Sequence, residues 1–236
     1  MYANIGFDIL SYLVEIISGE SFLSYCDTHI FSPLDMKNTS FNLSHLNLDQ
    51  VAIPYIRFMG RYYRINELAF MWGEDWTPSD QYWRIRCYPA GGLYSTVSDL
   101  SHFLIAHMND GVYNGTRILQ KETVQLMQKI QPGNQLGYGL AWMRTSVQGI
   151  STSGHSGGYP GVNTWMLYNE TEDTGVIFLA NGSPGYVLPF GGWYLMMTIL
   201  FSLFTKEGTL PLEASSEYNV SSEPFFMMPL VTHRVP

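Results

Sequence analysis

The chain predicts an α/β protein of the α+β type, with an antiparallel sheet flanked by helices plus a helical and loop-rich subdomain. Three observations lead there. Apolar residues make up 46% of the 236 positions and charged residues only 14%, which is enough for one sizeable buried core. Up to Pro132-Gly133 the apolar positions recur mainly at helical spacing. Beyond that pair the pattern changes to short strand-like runs joined by tight turns, and such short connections require antiparallel neighbours.

Taken in order, Asn4 is placed to cap a first helix whose apolar positions are Ile9, Leu10, Leu13, Val14 and Ile17, with Gly19 closing it. A second helix starts near Ser21, carries Phe22, Tyr25, Cys26 and Ile30 on one face, and stops before Ser32-Pro33. Thr39 to Tyr88 is rich in aromatics, Trp72, Trp76 and Trp83 among them, and has no sustained period. It reads as a long excursion, either packed over a site or covering core alone. Thr96 or Ser98 caps the next helix, Asp99 suits its positive end, and Leu100, Phe103, Leu104 and His107 or Met108 form its inner stripe. His102 and His107 read as surface or boundary residues of that helix. Lys121 to Ile130 is a further helix with Val124 and Met127 inward and Ile130 as a further candidate for that face. Strands are expected at Gly137–Trp142, Ser151–Ser156, Asn163–Tyr168 and Gly175–Ala180. Residues 193–204 are apolar almost all round, but Pro189 and Gly191-Gly192 limit the continuous helix to a length below the ~20 residues needed to span a bilayer. A buried final helix is expected there, with a membrane association as the alternative. Residues 1–206 thus form one domain, and 207–236 read as a polar tail or linker.

The net charge of −8 argues against a nucleic-acid partner, which would need a basic stripe. Cys26 and Cys87 are the two cysteines, and neither forms a zinc-type cluster with the histidines, so no metal and no cofactor is expected. Met1 to Gly19 lacks the basic start of a signal peptide. Sequons at Asn38, Asn42, Asn114, Asn169, Asn181 and Asn219 are compatible with a secreted history.

The stretch with the richest chemistry is Ser153-Gly154-His155-Ser156-Gly157-Gly158-Tyr159-Pro160-Gly161. It sets one imidazole and two hydroxyls among glycines that let a substrate backbone approach exposed N–H groups. A glycine-rich turn beside a satisfied histidine fits the same residues.

Several segments together resemble the serine β-lactamase and penicillin-binding-protein superfamily, in its class C β-lactamase, esterase and D-aminopeptidase branch. They are Tyr2-Ala3-Asn4 before a helix, Ile30-Phe31-Ser32-Pro33-Leu34-Asp35-Met36, Ala90-Gly91-Gly92-Leu93-Tyr94-Ser95-Thr96 with Asp99-Leu100, Gly137-Tyr138-Gly139-Leu140-Ala141-Trp142, and His155-Ser156-Gly157. The resemblance runs from Tyr2 to about Phe204. It implies a β-lactamase/transpeptidase-like fold and an extracytoplasmic family protein acting on a small-molecule or peptide substrate. Tyr2 would relay a proton between the serine nucleophile and the leaving group. Because a tyrosine ordinarily titrates near ~10, nearby cations would have to lower it for that role. Asn4 would orient the substrate amide. His155, with Ser156 and Gly157, would stand where relatives carry Lys-Thr-Gly or His-x-Gly, giving a weaker, pH-dependent positive field than lysine. The Gly158 N–H would donate into an oxyanion hole, and Gly157 would keep the strand edge open.

The superfamily acylates the serine of Ser-x-x-Lys. Lys37, Lys121, Lys129 and Lys206 have Leu34, Ile118, Leu126 and Leu203 three residues earlier, so that motif is absent here. The expectation is a carboxy-terminal portion of the domain, incomplete at the amino terminus, with weak or no activity of its own and a tendency to associate. Asp35 replaces the glycine usual in the Pro-Leu-Gly-Met turn; aspartate tolerates left-handed geometry. Three readings follow: a serine hydrolase missing its nucleophile, a non-catalytic relative binding peptidoglycan-like peptides or β-lactams, and a membrane-associated interaction protein.

Overall fold

A computed structural model describes residues 3–59, 61–71, 87–133, 137–147, 150–169, 171, 173–183 and 227–233. Helix α1 (Asn4–Ser18) is capped by Ala3 rather than Asn4, which is its first residue, and ends on left-handed Gly19, whose N–H donates to the Glu15 carbonyl at 2.9 Å. Ser21 caps α2 (Phe22–Cys26), which continues through a wider turn over Asp27–Phe31. Asp35 then turns the chain with φ 56°, as its side-chain chemistry suggests.

A short hairpin follows, β1 (Tyr55–Phe58) with β2 (Arg61–Arg64), inside the segment expected to lack a period. Trp72, Trp76 and Trp83 lie outside the described residues. After α3 (Tyr88–Gly91), helix α4 (Val97–Met108) is the hub of the fold. Thr96 caps it, its Oγ1 accepting the Asp99 N–H at 3.1 Å. One face of α4 packs Leu104 and Met108 against Trp142, Tyr168 and Ile177 of the sheet side. Another carries Ala106 into a second cluster with Cys26, Phe31, Leu34 and Met36. Burial on both faces removes His107 from the surface or boundary position expected for it: it is 2% exposed. His102 does sit at the boundary, stacked on Tyr113 at 4.4 Å, with Nδ1 donating to the Leu34 carbonyl.

The small ribbon β3 (Val112–Tyr113) and β4 (Thr116–Arg117) leads to α5 (Lys121–Gln128), which turns Val124 inward. Among the described residues the principal sheet has five strands. They are β5 (Met143–Val147), β6 (Ile150–Tyr159), β7 (Val162–Asn169), β8 (Thr174–Ala180) and, after the two-residue β9 (Gly182–Ser183), β10 (Met227–His233). Their order is β10-β8-β7-β6-β5, antiparallel throughout. Strand β8 lies inside it, and Val176, Ile177 and Phe178 are fully covered, so both faces of that strand are buried.

Two further expectations are corrected, and one helix face is left open. Gly137–Trp142 is not a strand: Gly137 and Ala141 take φ of 74° and 62°, and the Gly139 N–H donates to the Trp142 carbonyl, so the run turns and pairing starts at Met143. Residues 227–233, expected in a polar tail, are the edge strand beside β8, where Pro229 lacks an N–H that an outer edge does not need. The apolar stripe of α1 is not covered; Ile9, Leu10 and Ile17 are 56%, 58% and 83% exposed. Among the described residues no helix is long and apolar enough to cross a membrane, and 193–204 lies outside them.

Candidate active site

The carboxy-terminal half of β6 carries the glycine-rich stretch, and its position in the sheet gives it chemical use. Pairing with β5 runs only from Ile150 to Gly154, whereas pairing with β7 continues to Tyr159. Ser156, Gly157 and Gly158 therefore have no strand on the β5 side among the described residues. The β6–β7 connection is the two-residue turn Pro160-Gly161, with Tyr159 opposite Val162 and Gly161 left-handed at φ 78°. The pair that closes a two-residue turn exchanges its hydrogen bonds, and the ladder alternates from there. Tyr159 and Gly157 thus address β7, while the N–H and C=O groups of Ser156 and Gly158 point to the open edge.

His155 bends over this edge. Its Nδ1 lies 2.6 Å from the Ser156 carbonyl oxygen. A carbonyl can only accept, so Nδ1 is the donor, and Nε2 is the acceptor nitrogen of the neutral ring. The bond engages the Ser156 carbonyl, and the N–H groups of Ser156 and Gly158 are the donors facing the edge. The Tyr138 ring centroid is 6.1 Å from that of His155. His155 is half-buried, Ser156 is half-buried, and Gly157 and Gly158 are exposed. The Ser156 hydroxyl makes no hydrogen bond to a described residue and is available to a ligand.

Two glycines hold this geometry by lacking a side chain. A Cβ on Gly154 would run into the Met166 carbonyl and lie 2.8 Å from the Leu167 Cα, both backbone atoms that cannot step aside. A Cβ on Gly157 would meet the Thr164 Oγ1 at 2.6 Å across the ladder, so Gly157 leaves room for that hydroxyl. At Gly158 the nearest atoms to an added Cβ are 3.7 Å away or more, so the position has space of its own.

Of the residues singled out in the sequence, His155, Ser156, Gly157 and Gly158 are consecutive on this edge. Asn4 is exposed at the start of α1, a helix that packs on α2 and α3, and makes no side-chain hydrogen bond to a described residue. Tyr2 lies outside the described residues. Sequence reasoning missed Thr164 and Tyr138 as neighbours of the group; the Gly-Tyr-Gly motif was the signal for Tyr138. A separate open cleft lined by Asp27, Asp35, Lys37 and His45 receives nothing from β6, and its Lys37 is tied to Asp35 at 2.9 Å. Among the described residues no group of His, Cys, Asp and Glu is arranged to hold a metal ion.

Comparison with known proteins adds an independent observation. The family model described as Beta-lactamase matches residues 1–199. Penicillin-binding protein 4* of Bacillus subtilis (strain 168) is 25% identical over 186 residues, which is 77% of this chain and 39% of that protein. Protein flp of Staphylococcus aureus (strain MW2) is 23% identical over 79% of this chain and 34% of its own length. Among solved structures, the octameric penicillin-binding protein homologue from Pyrococcus abyssi matches with a TM-score of 0.63 and 25% identity, over 86% of this chain and 42% of that one. The D-amino acid amidase from Ochrobactrum anthropi SV3 shares the fold, with a TM-score of 0.66 at 19% identity over 86% of this chain and 57% of that one. The chain spans less than half the length of the two curated relatives.

Proposed function

Because the chain belongs to the beta-lactamase family, we propose that it supplies the substrate-binding strand of an extracytoplasmic serine hydrolase. That enzyme would open a β-lactam, ester or D-amino-acid amide or peptide bond through an acyl-enzyme. The observation that carries this reading is the edge of β6, where His155, Ser156, Gly157 and Gly158 meet a β-strand side with no described partner. A peptide-like substrate would lie along that edge as an added strand, its backbone bonded to Ser156 and Gly158. The Gly158 N–H would donate to the oxygen that becomes negative as the acyl carbon turns tetrahedral. The Ser156 hydroxyl would hold a polar group of the substrate. His155 would supply a positive field when protonated and a proton acceptor at Nε2 when neutral. Tyr2 is assigned proton relay and Asn4 the orientation of the substrate amide.

The Ser-x-x-Lys nucleophile motif is not among these 236 residues, so the reading makes acylation depend on a serine supplied from elsewhere. That same feature supports a second reading, a binding protein that holds β-lactams or D-amino peptides without turnover. The two separate in one experiment. The folded chain is titrated with a D-alanyl peptide amide by calorimetry, then incubated with nitrocefin and a fluorophosphonate and weighed intact. Saturable binding lost in Gly157→Val, with no adduct, is the expected result. Absence of binding in a folded sample refutes the assignment of the β6 edge. A stoichiometric adduct on a serine of this chain overturns the dependence on an outside nucleophile.

A further inference from the structure

The sequence carries three arginines between positions 57 and 64, with no acidic residue between Asp49 and Glu67, in a chain of net charge −8. The β1–β2 ladder sets Tyr55 opposite Arg64 and Arg57 opposite Tyr62. Directly opposed residues share a face and the next pair but one returns to it, so Arg57 and Arg64 stand on the same face as diagonal neighbours, about 7–8 Å apart. Arg61, opposite Phe58, stands on the other face. All three arginines are exposed. Among the described residues none of them forms an ion pair. The nearest carboxylate along the chain, Glu67, accepts the Arg64 backbone N–H at 2.7 Å. Arg64 is held in place by its Nε, which donates to the hydroxyl of the buried Tyr55 at 3.3 Å. Two like charges on one face of a hairpin repel one another, and an anion placed between them reverses that cost.

The hairpin stands at the end of the candidate site. Tyr55 and Ile56 pair in parallel with Gly182 and Ser183, and the Tyr55 N–H donates to the Asn181 carbonyl at 2.7 Å. On its other side, the turn that ends β6 presses on the root of β1: a Cβ on Gly161 would lie 3.0 Å from both the Pro54 Cβ and the Tyr55 nitrogen. Gly161 follows Gly158 by three residues, and the last two of these, Pro160 and Gly161, are the turn itself. A peptide-like ligand laid antiparallel on the β6 edge runs with its amino-terminal, acyl side towards Tyr159 and the hairpin.

Resting on the function proposed above, we propose that Arg57 and Arg64 form an anion subsite. It takes a carboxylate carried on the acyl side of the substrate, beyond the residue bonded to Gly158. The substrate class is then an acidic D-amino peptide or acyl derivative rather than a neutral one.

The test uses two probes, an N-succinyl and an N-acetyl D-alanyl tripeptide amide, of which only the first carries a terminal CH2–COO− group, titrated into the folded chain at low and raised salt. The succinyl peptide is expected to bind about tenfold or more tighter, with the advantage shrinking as salt rises. In Arg57→Gln/Arg64→Gln the two affinities converge while that of the acetyl peptide is unchanged. Arg61→Gln, on the opposite face, keeps the preference. Equal affinities in the wild type, or a preference that survives the double substitution, overturns the subsite and leaves the β6 assignment standing. Failure of both peptides to bind overturns both. Thermal melts of the variants separate a lost contact from a lost fold.

Discussion

His107 offers a test in which the effect comes from a single buried ring. It is 2% exposed, lies 4.6 Å from the ring centroids of both Phe103 and Trp142, and its Nδ1 has no hydrogen-bond partner among the described residues. Burial pushes its pKa from 6.5 down to about 4. Well above 6.5 the ring is neutral in folded and unfolded chains alike and pH has no leverage through it. Below that, the unfolded chain takes up the proton first, so stability falls as the pH falls and levels off below about 4. At ~1.4 kcal/mol per tenfold change, the full loss is on the order of 3 kcal/mol, of which ~2 kcal/mol has appeared by pH 5 and only a few tenths at pH 7. His107→Leu keeps an apolar side chain of similar size and removes both the titration and the orphaned nitrogen. Urea unfolding followed by tryptophan fluorescence at pH 7 and pH 5 gives the difference between the two proteins at each pH. That difference should widen by ~2 kcal/mol in favour of the leucine variant at the lower pH. Any packing change contributes equally at both. Parallel pH dependences for wild type and variant would refute the argument that burial holds the ring neutral.

Other outcomes follow from the same geometry. Gly154→Ala drives a methyl group into the Met166 carbonyl and should cost about 3 kcal/mol or more, or prevent folding, as read by thermal melting. Gly158→Ala, where the nearest atoms are 3.7 Å away, should melt within ~0.5 kcal/mol of wild type. Asp99 is buried, and its Oδ2 accepts from the Asn38 N–H at 2.7 Å and the Thr39 hydroxyl at 2.8 Å. Asp99→Ala orphans the Asn38 N–H and leaves the Thr39 hydroxyl only Ser95, at 2.7 Å, and should cost about 1–3 kcal/mol in denaturant unfolding. Burial, with the Asp27 charge beside it, raises the Cys26 thiol to about 11. Iodoacetamide near pH 8 should therefore leave Cys26 unmodified until urea opens the fold, by peptide mass spectrometry.

Much of the fold was legible because it depends on local rules. Ser21, Thr96 and Gly19 act at helix ends as their side chains dictate, and the runs around Ser151–Ser156, Asn163–Tyr168 and Gly175–Ala180 are strands because alternation and short turns leave little else. The failures share a cause, which is that distant chain overrides local pattern. Gly137–Trp142 has strand-like composition, but two positive φ angles fold it back on itself. Met227–His233 reads as tail because nothing nearby in sequence needs it, whereas the exposed edge of β8 does. The helical stripe of α1 was correctly placed, yet periodicity only says which face is apolar, not whether anything covers it. At the site, the cluster from His155 to Gly158 was readable because its members are adjacent in sequence. Thr164 and the arginine hairpin were not, since their relation to it exists only through sheet register.

The order β10-β8-β7-β6-β5 has a consequence for synthesis. The strand with the most complete burial, β8, is finished at Ala180, but its outer neighbour starts at Met227. A ribosome must therefore add more than forty residues while the backbone edge of an apolar strand waits for its partner. During that interval the β8 border of the nascent sheet is open to any extended segment that passes. The timing of translation across that stretch, and whatever holds the border meanwhile, thus bears on whether β8 meets β10 or another strand first.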